Sequence, residues 1–266
     1  MSAQVSASVR RRARAGNWRV RIGLLALFVY VIYATRALDF TWARFVQGLD
    51  QGGRFIGRMF PPDIALDKLQ LLLSGMTESL QIAVLSTVLG IALSLPLGLA
   101  AARNLAPAPI AWGARLLIVL FRSFHPVITA ILFVKAVGFG ALAGVLALLV
   151  ASLGFLSKLI AEAIEEVSMR QVEAVRATGA SFFSVLVMGV LPQVLPRYVG
   201  FCAYQLDSNL RNSALVGLVG GGGIGATLFT AFQRFDYDFV LTIVLAIIAI
   251  VMVGEMLSLW MRRMFQ

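Results

Sequence analysis

The sequence predicts an all-α, polytopic integral membrane protein with about six transmembrane helices and one interfacial helix. Of its 266 residues, 59% are hydrophobic and 14% are charged, and the mean hydropathy is +0.87. Apolar runs of about 20 residues, long enough to cross a hydrocarbon core of roughly 30 Å, recur along the chain. A soluble domain of this length would not bury so much apolar surface.

The N-terminal segment is strongly basic. Six arginines and no acidic residue occupy the first 21 positions, directly before the apolar run 22–34. By the positive-inside rule, the N-terminus is expected in the cytoplasm. A cleaved signal peptide is the alternative, although no small-x-small cleavage site follows the run. The net charge of +10 therefore indicates helix orientation in a bilayer, and nucleic-acid binding is not expected.

Apolar and charged residues mix at roughly helical spacing in the segment 39–68, until Pro61 and Pro62. This pattern predicts an interfacial amphipathic helix on the outer face. We expect residues 1–70 to hold the basic arm, the first transmembrane helix and this interfacial helix. Residues 71–266 are expected to form the transmembrane core.

Five further apolar spans are predicted in that core. They run from about 79–102, 110–137, 141–161, 183–218 and 239–260. Arg103, the segment 158–176 and the pair Arg262 and Arg263 then lie on the same side as the basic arm. Both termini are therefore expected in the cytoplasm, consistent with an even number of crossings.

The composition excludes several kinds of chemistry. One cysteine, Cys202, and one histidine, His125, form neither an intrachain disulfide nor a zinc site of usual ligand number. A Walker phosphate loop needs glycine directly before its lysine, and none of Lys68, Lys135 and Lys158 follows a glycine. We expect no catalytic residue, metal or cofactor in this chain, so a partner or an ion gradient must supply the energy for any pumping.

A glycine-rich run follows the long apolar span 183–218. Its glycines are Gly220, Gly221, Gly222, Gly223 and Gly225. They match G-x-G-x-x-G, but no strand is predicted before them, so dinucleotide binding is not expected. Glycine accepts positive φ and lets helices approach, so the run is either a close backbone contact or a gate or hinge at the outer face.

The loop between the fourth and fifth spans is charged and helical in its first half. Met169, Val172 and Val175 form an apolar strip flanked by charges, a pattern suited to a groove in a partner protein. Gly179 is expected to end this helix, and Ser181 is expected to cap the next one.

Part of this loop resembles the signature of bacterial ATP-binding cassette (ABC) importer permeases. The signature is E-A-A, three residues, G and a more distal L-P, and Glu173-Ala174, Gly179 and Leu191-Pro192 match it. Val175 replaces the second alanine, and Gly189 stands where isoleucine is usual. The resemblance implies that the segment of about 162–182 couples to an ATPase. The coupling residues it implies are Glu173, Ala174, Val175, Arg176 and Gly179.

Longer stretches resemble the phosphonate-transport permease family (PhnE), which has a MetI-like fold. They are 209–220 (NLRNSALVGLVG), 223–225 (GIG) and 122–125 (RSFH). The resemblance runs from about residue 77 to the C-terminus. It implies the permease subunit of a binding-protein-dependent importer for phosphonate, phosphate, phosphite or a related small oxyanion, in the bacterial inner (plasma) membrane. The alternatives are an ABC importer permease for another small solute and a gradient-driven secondary transporter.

The resemblance also implies partners. Two permease subunits, as two copies or as paralogues, would enclose the pathway within membrane lipid. A cytosolic ABC ATPase dimer would bind ATP and magnesium, and a periplasmic or lipid-anchored substrate-binding protein would deliver the substrate.

Charged side chains in apolar spans usually face a cavity or a partner. Six residues are predicted to line a translocation pathway: Arg122, Ser123, His125, Arg211, Asn212 and Ser213. Arg122 and Arg211 lie at similar depth if both helices begin at the cytoplasmic surface, and their guanidinium groups would bind a phosphonate-like anion transiently. The alternatives are an ion pair between Arg211 and Asp207, and a link from Arg122 to a carbonyl at the Pro126 break.

Overall fold

The structure is a computed structural model that describes the backbone of residues 2–39 and 41–265. Side chains are described for residues 18, 20–39, 41–256, 258 and 259. The described residues form helices joined by short turns, with no strand among them, as the all-α prediction requires. The chain divides into two compact units, Met1–Arg58 and Met59–Gln266.

The first unit consists of α1 (Ser2–Ala37) and α2 (Trp42–Gly57). Thr41 caps α2, because its hydroxyl accepts a hydrogen bond from the Arg44 amide at 3.4 Å. None of the residues of α2 is buried, and its large apolar side chains are exposed apart from the half-buried Phe55, as expected for a helix that lies at a membrane interface. The predicted charges at Arg10, Arg11, Arg12, Arg14, Arg19, Arg262 and Arg263 lie outside the described side chains.

The second unit is a helical bundle. Its helices are α3 (Leu66–Ala101), α4 (Ala108–Ser123), α5 (Pro126–Val137), α6 (Ala141–Glu165), α7 (Met169–Ala177), α8 (Phe182–Val185), α9 (Leu191–Leu218), α10 (Ile224–Gln233) and α11 (Tyr237–Phe265). A π-helical turn, Leu186–Val190, joins α8 to α9. We call the end of the bundle that contains Ala101, Glu165 and Leu191 the α7 end. The end that contains Leu218 and Ile224 is called the glycine-loop end.

Among the described residues, five segments are long and apolar enough to cross a membrane: Val20–Ala37, Leu66–Ala101, Ala141–Glu165, Phe182–Leu218 and Tyr237–Met256. The span predicted at 110–137 is broken, because α4 and α5 meet at an angle of 89°. Proline lacks an amide hydrogen and pushes the preceding residue into extended backbone, so Pro126 begins a new helix. Counted as one broken span, the pair makes six crossings, the predicted number.

Small residues let α3 lie close to α6 and α9. The buried stripe of α3 consists mainly of Gly75, Ser79, Ala83, Ser86, Thr87, Gly90, Ser94 and Gly98. A Cβ at Gly90 would stand 2.6 Å from the Ser152 Cβ, and one at Gly98 would stand 2.7 Å from the Ile160 Cγ2. Larger side chains at these positions would therefore push α6 away from α3. Small residues are common at helix contacts in membranes for this reason.

Candidate functional site

Helix α7 is anchored through one face and uncovered on the other. Val172 is fully buried, and Met169 and Val175 are half-buried against the same apolar cluster, so the predicted strip is present. The prediction that it lies in a groove of a partner protein is wrong, because the strip packs on the bundle of this chain itself. The exposed residues of α7 include Glu173, Ala174 and Arg176. Three of the predicted coupling residues are therefore available to a partner on a helix that the bundle holds in place.

Gln193 joins the start of α7 to the start of α9. Its side-chain amide donates to the Gly189 carbonyl at 2.6 Å, and its oxygen accepts from the Ser168 amide at 2.9 Å. Gly189 lies in the π-helical turn, where a Cβ would stand 3.4 Å from the Val172 Cα. The glycine that departs from the ABC signature thus lies directly under α7. No role was predicted for Gln193 from the sequence.

Gly179 and Ser181 end one helix and begin the next, as predicted. Gly179 has a φ of +77°, in the left-handed region, and its amide bonds to the Arg176 carbonyl at 3.0 Å. The Ser181 hydroxyl accepts from the Ser184 amide at 3.3 Å and so caps α8. Gly179 is exposed in this turn, directly after α7.

Ion pairs close the α7 end of the bundle. Arg115 of α4 contacts Glu165 at 2.6 Å, and the same carboxylate accepts from the Arg103 amide at 2.8 Å. Arg197 of α9 contacts Glu166 at 2.5 Å. Glu165 and Glu166 therefore tie α4 and α9 to the end of α6, directly before α7.

The α4–α5 break carries Arg122, Ser123 and His125, all exposed. The His125 Nδ1 accepts from the Val127 amide at 3.3 Å and caps α5, which is a structural role for this imidazole. Ser123 donates to the Val119 carbonyl at 2.8 Å. Within the described part of the chain, no hydrogen bond or salt bridge engages the Arg122 guanidinium, so the link to a carbonyl at the break, which was the alternative for this residue, is not present.

The predicted pathway residues of α9 differ in burial. Arg211 is exposed and its Nη2 donates to the Asp207 Oδ2 at 2.8 Å, so the ion pair considered as an alternative is present. Asn212 is half-buried and donates to the Ser208 hydroxyl at 3.3 Å. Ser213 is fully buried and donates to the Leu210 carbonyl.

Arg122 and Arg211 lie on different sides of α6. Arg122 packs on Gly154, where a Cβ would stand 2.8 Å from the Arg122 Cγ. Ser152, two residues earlier and so about 200° away around α6, bonds to Asn209 of α9. Arg211 follows Asn209 by two residues, which places both arginines near the level of this contact. One subunit therefore leaves the two guanidinium groups on separate surfaces.

Four polar side chains form a hydrogen-bonded network at the centre of the bundle that was not predicted from the sequence. The Asn209 amide donates to the hydroxyls of Thr87 at 2.8 Å and Ser152 at 3.0 Å. Gln205 donates to Ser152 and to the Asn209 oxygen at 2.9 and 3.0 Å. All four side chains are buried, and they join α3, α6 and α9. Their signal in the sequence was the presence of amide side chains within an apolar span.

The glycine run forms a tight loop between helices. Gly220, Gly222 and Gly223 have positive φ, and a Cβ at Gly225 would stand 1.9 Å from the Ala214 carbonyl oxygen. The Ile224 amide donates to the Ser79 hydroxyl at 2.8 Å, so α3 caps the start of α10. The close backbone contact, one of the two predicted alternatives, is present, whereas movement as a gate stays a prediction.

A second polar cluster lies at the glycine-loop end. The Lys68 Nζ contacts the carboxylates of Asp63 at 2.6 Å and Asp236 at 2.7 Å. The hydrogen bond from Lys68 lowers the pKa of the Asp63 carboxyl below its ordinary value. An adjacent cavity of about 390 Å³ is lined by Lys68, Asp236, Thr230 and Arg234, among others. This arrangement ties the start of α3 to the connection between α10 and α11.

No group of three or more His, Cys, Asp or Glu side chains that could hold a metal occurs among the described residues. The polar groups described above form hydrogen bonds and ion pairs. Among them, the guanidinium groups are the ones suited to binding an anion.

Known proteins resemble this chain in sequence and in fold. A family model described as the binding-protein-dependent transport system inner membrane component matches residues 94–266. The phosphate-import permease protein PhnE of Mycolicibacterium smegmatis is 40% identical over 255 residues, which are 95% of this chain and 46% of that protein. The phosphite transport system permease protein PtxC of Stutzerimonas stutzeri is 37% identical over 256 residues, 94% of this chain and 91% of that protein. The chain thus spans about half the length of the first relative and most of the second.

A solved structure shares the fold. An inward-facing structure of the MetNI methionine ABC transporter aligns with a TM-score of 0.68 and 23% identity. The alignment covers 76% of this chain and 100% of the matched chain.

Proposed function

This chain belongs to the family of binding-protein-dependent transport system inner membrane components, and we propose that it is the permease subunit of an ATP-driven importer for phosphonate, phosphate or a related small oxyanion. As a member of this family, it is an inner-membrane transport subunit and not an enzyme. The names of its relatives, a phosphate-import permease and a phosphite permease, support the substrate class.

The observation that carries the proposal is the attachment of α7. A helix whose apolar strip is buried at Val172 and whose Glu173 and Arg176 are uncovered suits a partner that pushes or pulls on the bundle. Gln193 bonds to both the start of α7 and the π-helical turn before α9. Movement of α7 would therefore be passed to α9, which carries Arg211.

The exposed guanidinium groups support an anionic substrate. Arg122 and Arg211 stand in apolar helices on surfaces that this subunit leaves open. Charges in such positions usually face a partner or a polar cavity rather than lipid. A second permease subunit, as a copy or a paralogue, would complete the pathway between these surfaces.

The remaining partners follow from the same proposal. A cytosolic ATPase dimer binds ATP and magnesium and docks on α7, and an external binding protein delivers the oxyanion at the glycine-loop end. Both termini then lie in the cytoplasm. Closure of the ATPases shifts the population between inward-open and outward-open states.

The test is reconstitution with the cognate ATPase and binding protein, with ATP inside the liposomes. We expect ATP-dependent uptake of radiolabelled phosphate, or of phosphite or methylphosphonate measured by competition. Glu173→Gln should lower retention of the ATPase during purification, whereas Asp50→Asn, which removes an exposed carboxylate from α2, should not. Ion-gradient-driven uptake by this chain alone would overturn the proposal.

A further inference from the structure

Asp207 and Arg211 form an ion pair whose two ends meet different surroundings. The Asp207 side chain is 9% exposed, whereas the Arg211 side chain is 59% exposed. The Arg211 Nη2 lies 2.8 Å from the Asp207 Oδ2, one helical turn earlier in α9. The acid is therefore held inside the bundle, and the guanidinium group stands at the uncovered surface.

The carboxylate is not fully satisfied in this position. Its second oxygen, Oδ1, is buried and has no hydrogen-bond partner among the described residues. It lies beside α11, since a Cβ at Gly254 would stand 3.6 Å from it. Burial of an acceptor without a partner is unfavourable, and apolar residues often replace buried ion pairs without loss of stability. Stability alone does not account for an acid here.

The guanidinium group has donors to spare. It carries five N–H groups, and its bond to Asp207 is the one hydrogen bond described for it. A planar guanidinium binds two oxygens of a phosphate-like anion in parallel. An oxyanion at this surface and the Asp207 carboxylate would therefore compete for the same cation.

Resting on the proposed function, we infer that Asp207 is a positioning residue that sets how tightly Arg211 holds a passing oxyanion. While the pathway is empty, the carboxylate fixes and neutralises the guanidinium group. When the oxyanion arrives, two anions share one cation, so the bound state is weak and release is fast. Removal of the Asp207 charge would leave the cation to the substrate and slow its release.

The test uses the complete importer with inorganic phosphate as the probe. Phosphate binding is measured by equilibrium dialysis without the binding protein, and the maximum uptake rate is measured with the binding protein saturating. We expect Asp207→Asn to bind phosphate on the order of tenfold more tightly, the change expected for loss of one competing charge-assisted contact. Its maximum uptake rate should fall severalfold.

A matched control comes from α2, where Asp50 and Arg54 form an exposed i,i+4 pair at 2.8 Å. Asp50→Asn should change neither phosphate binding nor uptake, because neither member of that pair lies in an apolar span.

A double substitution separates positioning from a structural role. Asp207→Asn with Arg211→Gln removes both charges and leaves no unpaired buried charge. We expect this variant to unfold at a temperature close to that of the unaltered chain, to bind phosphate no more tightly and to lose transport. If Asp207→Asn alone does not fold, the inference is tested on the double variant, by its unfolding temperature, phosphate binding and transport.

Unchanged or undetected phosphate binding by folded Asp207→Asn would overturn the inference. So would normal transport by the double variant, because a purely structural pair is replaceable. If the unaltered importer takes up no oxyanion, the proposed function fails instead.

Discussion

The side-chain oxygen of Gln193 accepts a hydrogen bond from the Ser168 amide at 2.9 Å, which connects the residue before α7 to the first turn of α9. The amides at a helix N-terminus have no acceptor within the helix, so the Gln193 oxygen supplies one for the Ser168 amide at the start of α7. The contact is directional, unlike the apolar packing of Val172. It therefore fixes the orientation of α7 as well as its position.

Gln193→Ala should weaken the coupling of ATP hydrolysis to transport. The substitution leaves the Ser168 amide and the Gly189 carbonyl without this partner, at a cost of about 1–3 kcal/mol where they stay shielded from water. We expect less uptake per ATP hydrolysed and faster proteolysis of the segment 166–182. Gln47→Ala, at an exposed glutamine of α2, is the control. An unchanged ratio of uptake to hydrolysis would contradict this role.

Gly179→Ala should reduce ATPase stimulation through backbone strain alone. A Cβ at Gly179 meets nothing within 4 Å, but the φ of +77° costs a residue other than glycine about 1–2 kcal/mol. Gly179→Asn should retain more activity, because asparagine tolerates this conformation. The measurement is ATP hydrolysis stimulated by the loaded binding protein. Equal losses in both variants would indicate a different cause.

Arg122→Leu should abolish most oxyanion uptake while the ATPase remains bound. The guanidinium group has no described partner, so its removal leaves no unpaired acid. Arg122→Lys should retain part of the uptake, because it keeps the charge without the planar fork. Arg58→Leu, at an exposed arginine directly after α2, is the control for loss of an exposed arginine. Normal uptake by Arg122→Leu would remove this residue from the pathway.

Gly144→Ala should destabilise the bundle, and Gly113→Ala should not. Both glycines lie in helices, but a Cβ at Gly144 would stand 2.3 Å from the Gly221 carbonyl oxygen, whereas one at Gly113 meets nothing within 4 Å. Overpacking of this kind typically costs about 1–3 kcal/mol. Thermal unfolding in detergent should show a lower temperature for Gly144→Ala only. Equal unfolding temperatures would show that the glycine loop moves aside freely.

Asn209→Ala should lower stability, whereas Asn212→Ala should lower transport. Asn209 is fully buried and bonds to Thr87 and Ser152, so its loss leaves buried partners unsatisfied at about 1–2 kcal/mol. Asn212 is half-buried on the α9 surface next to Arg211. Unfolding temperature and phosphate uptake should therefore separate the two variants. If Asn209→Ala lowered uptake and Asn212→Ala lowered the unfolding temperature, the roles assigned to the two residues would be reversed.

Several local features of the predicted coupling segment, residues 162–182, followed from the sequence. Val172 is buried because it repeats at helical spacing with Met169 and Val175, and Gly179 ends α7 because glycine accepts positive φ. Gln193 was not predicted, since its two hydrogen bonds join residues that meet only when α7 folds back on the π-helical turn. A glutamine in a helix gives no sign of such partners.

By itself, the sequence determined that this chain is an all-helical membrane protein with a short amphipathic helix between two spans, because apolar run length and helical periodicity are local properties. Tertiary structure alone decided which polar side chains are buried and which are exposed. It placed Asp207 inside the bundle and Arg211 at its surface, although both lie on one helix and either could have faced inward. It also separated Arg122 from Arg211 by α6, because the packing of small residues around that helix determines which faces remain open.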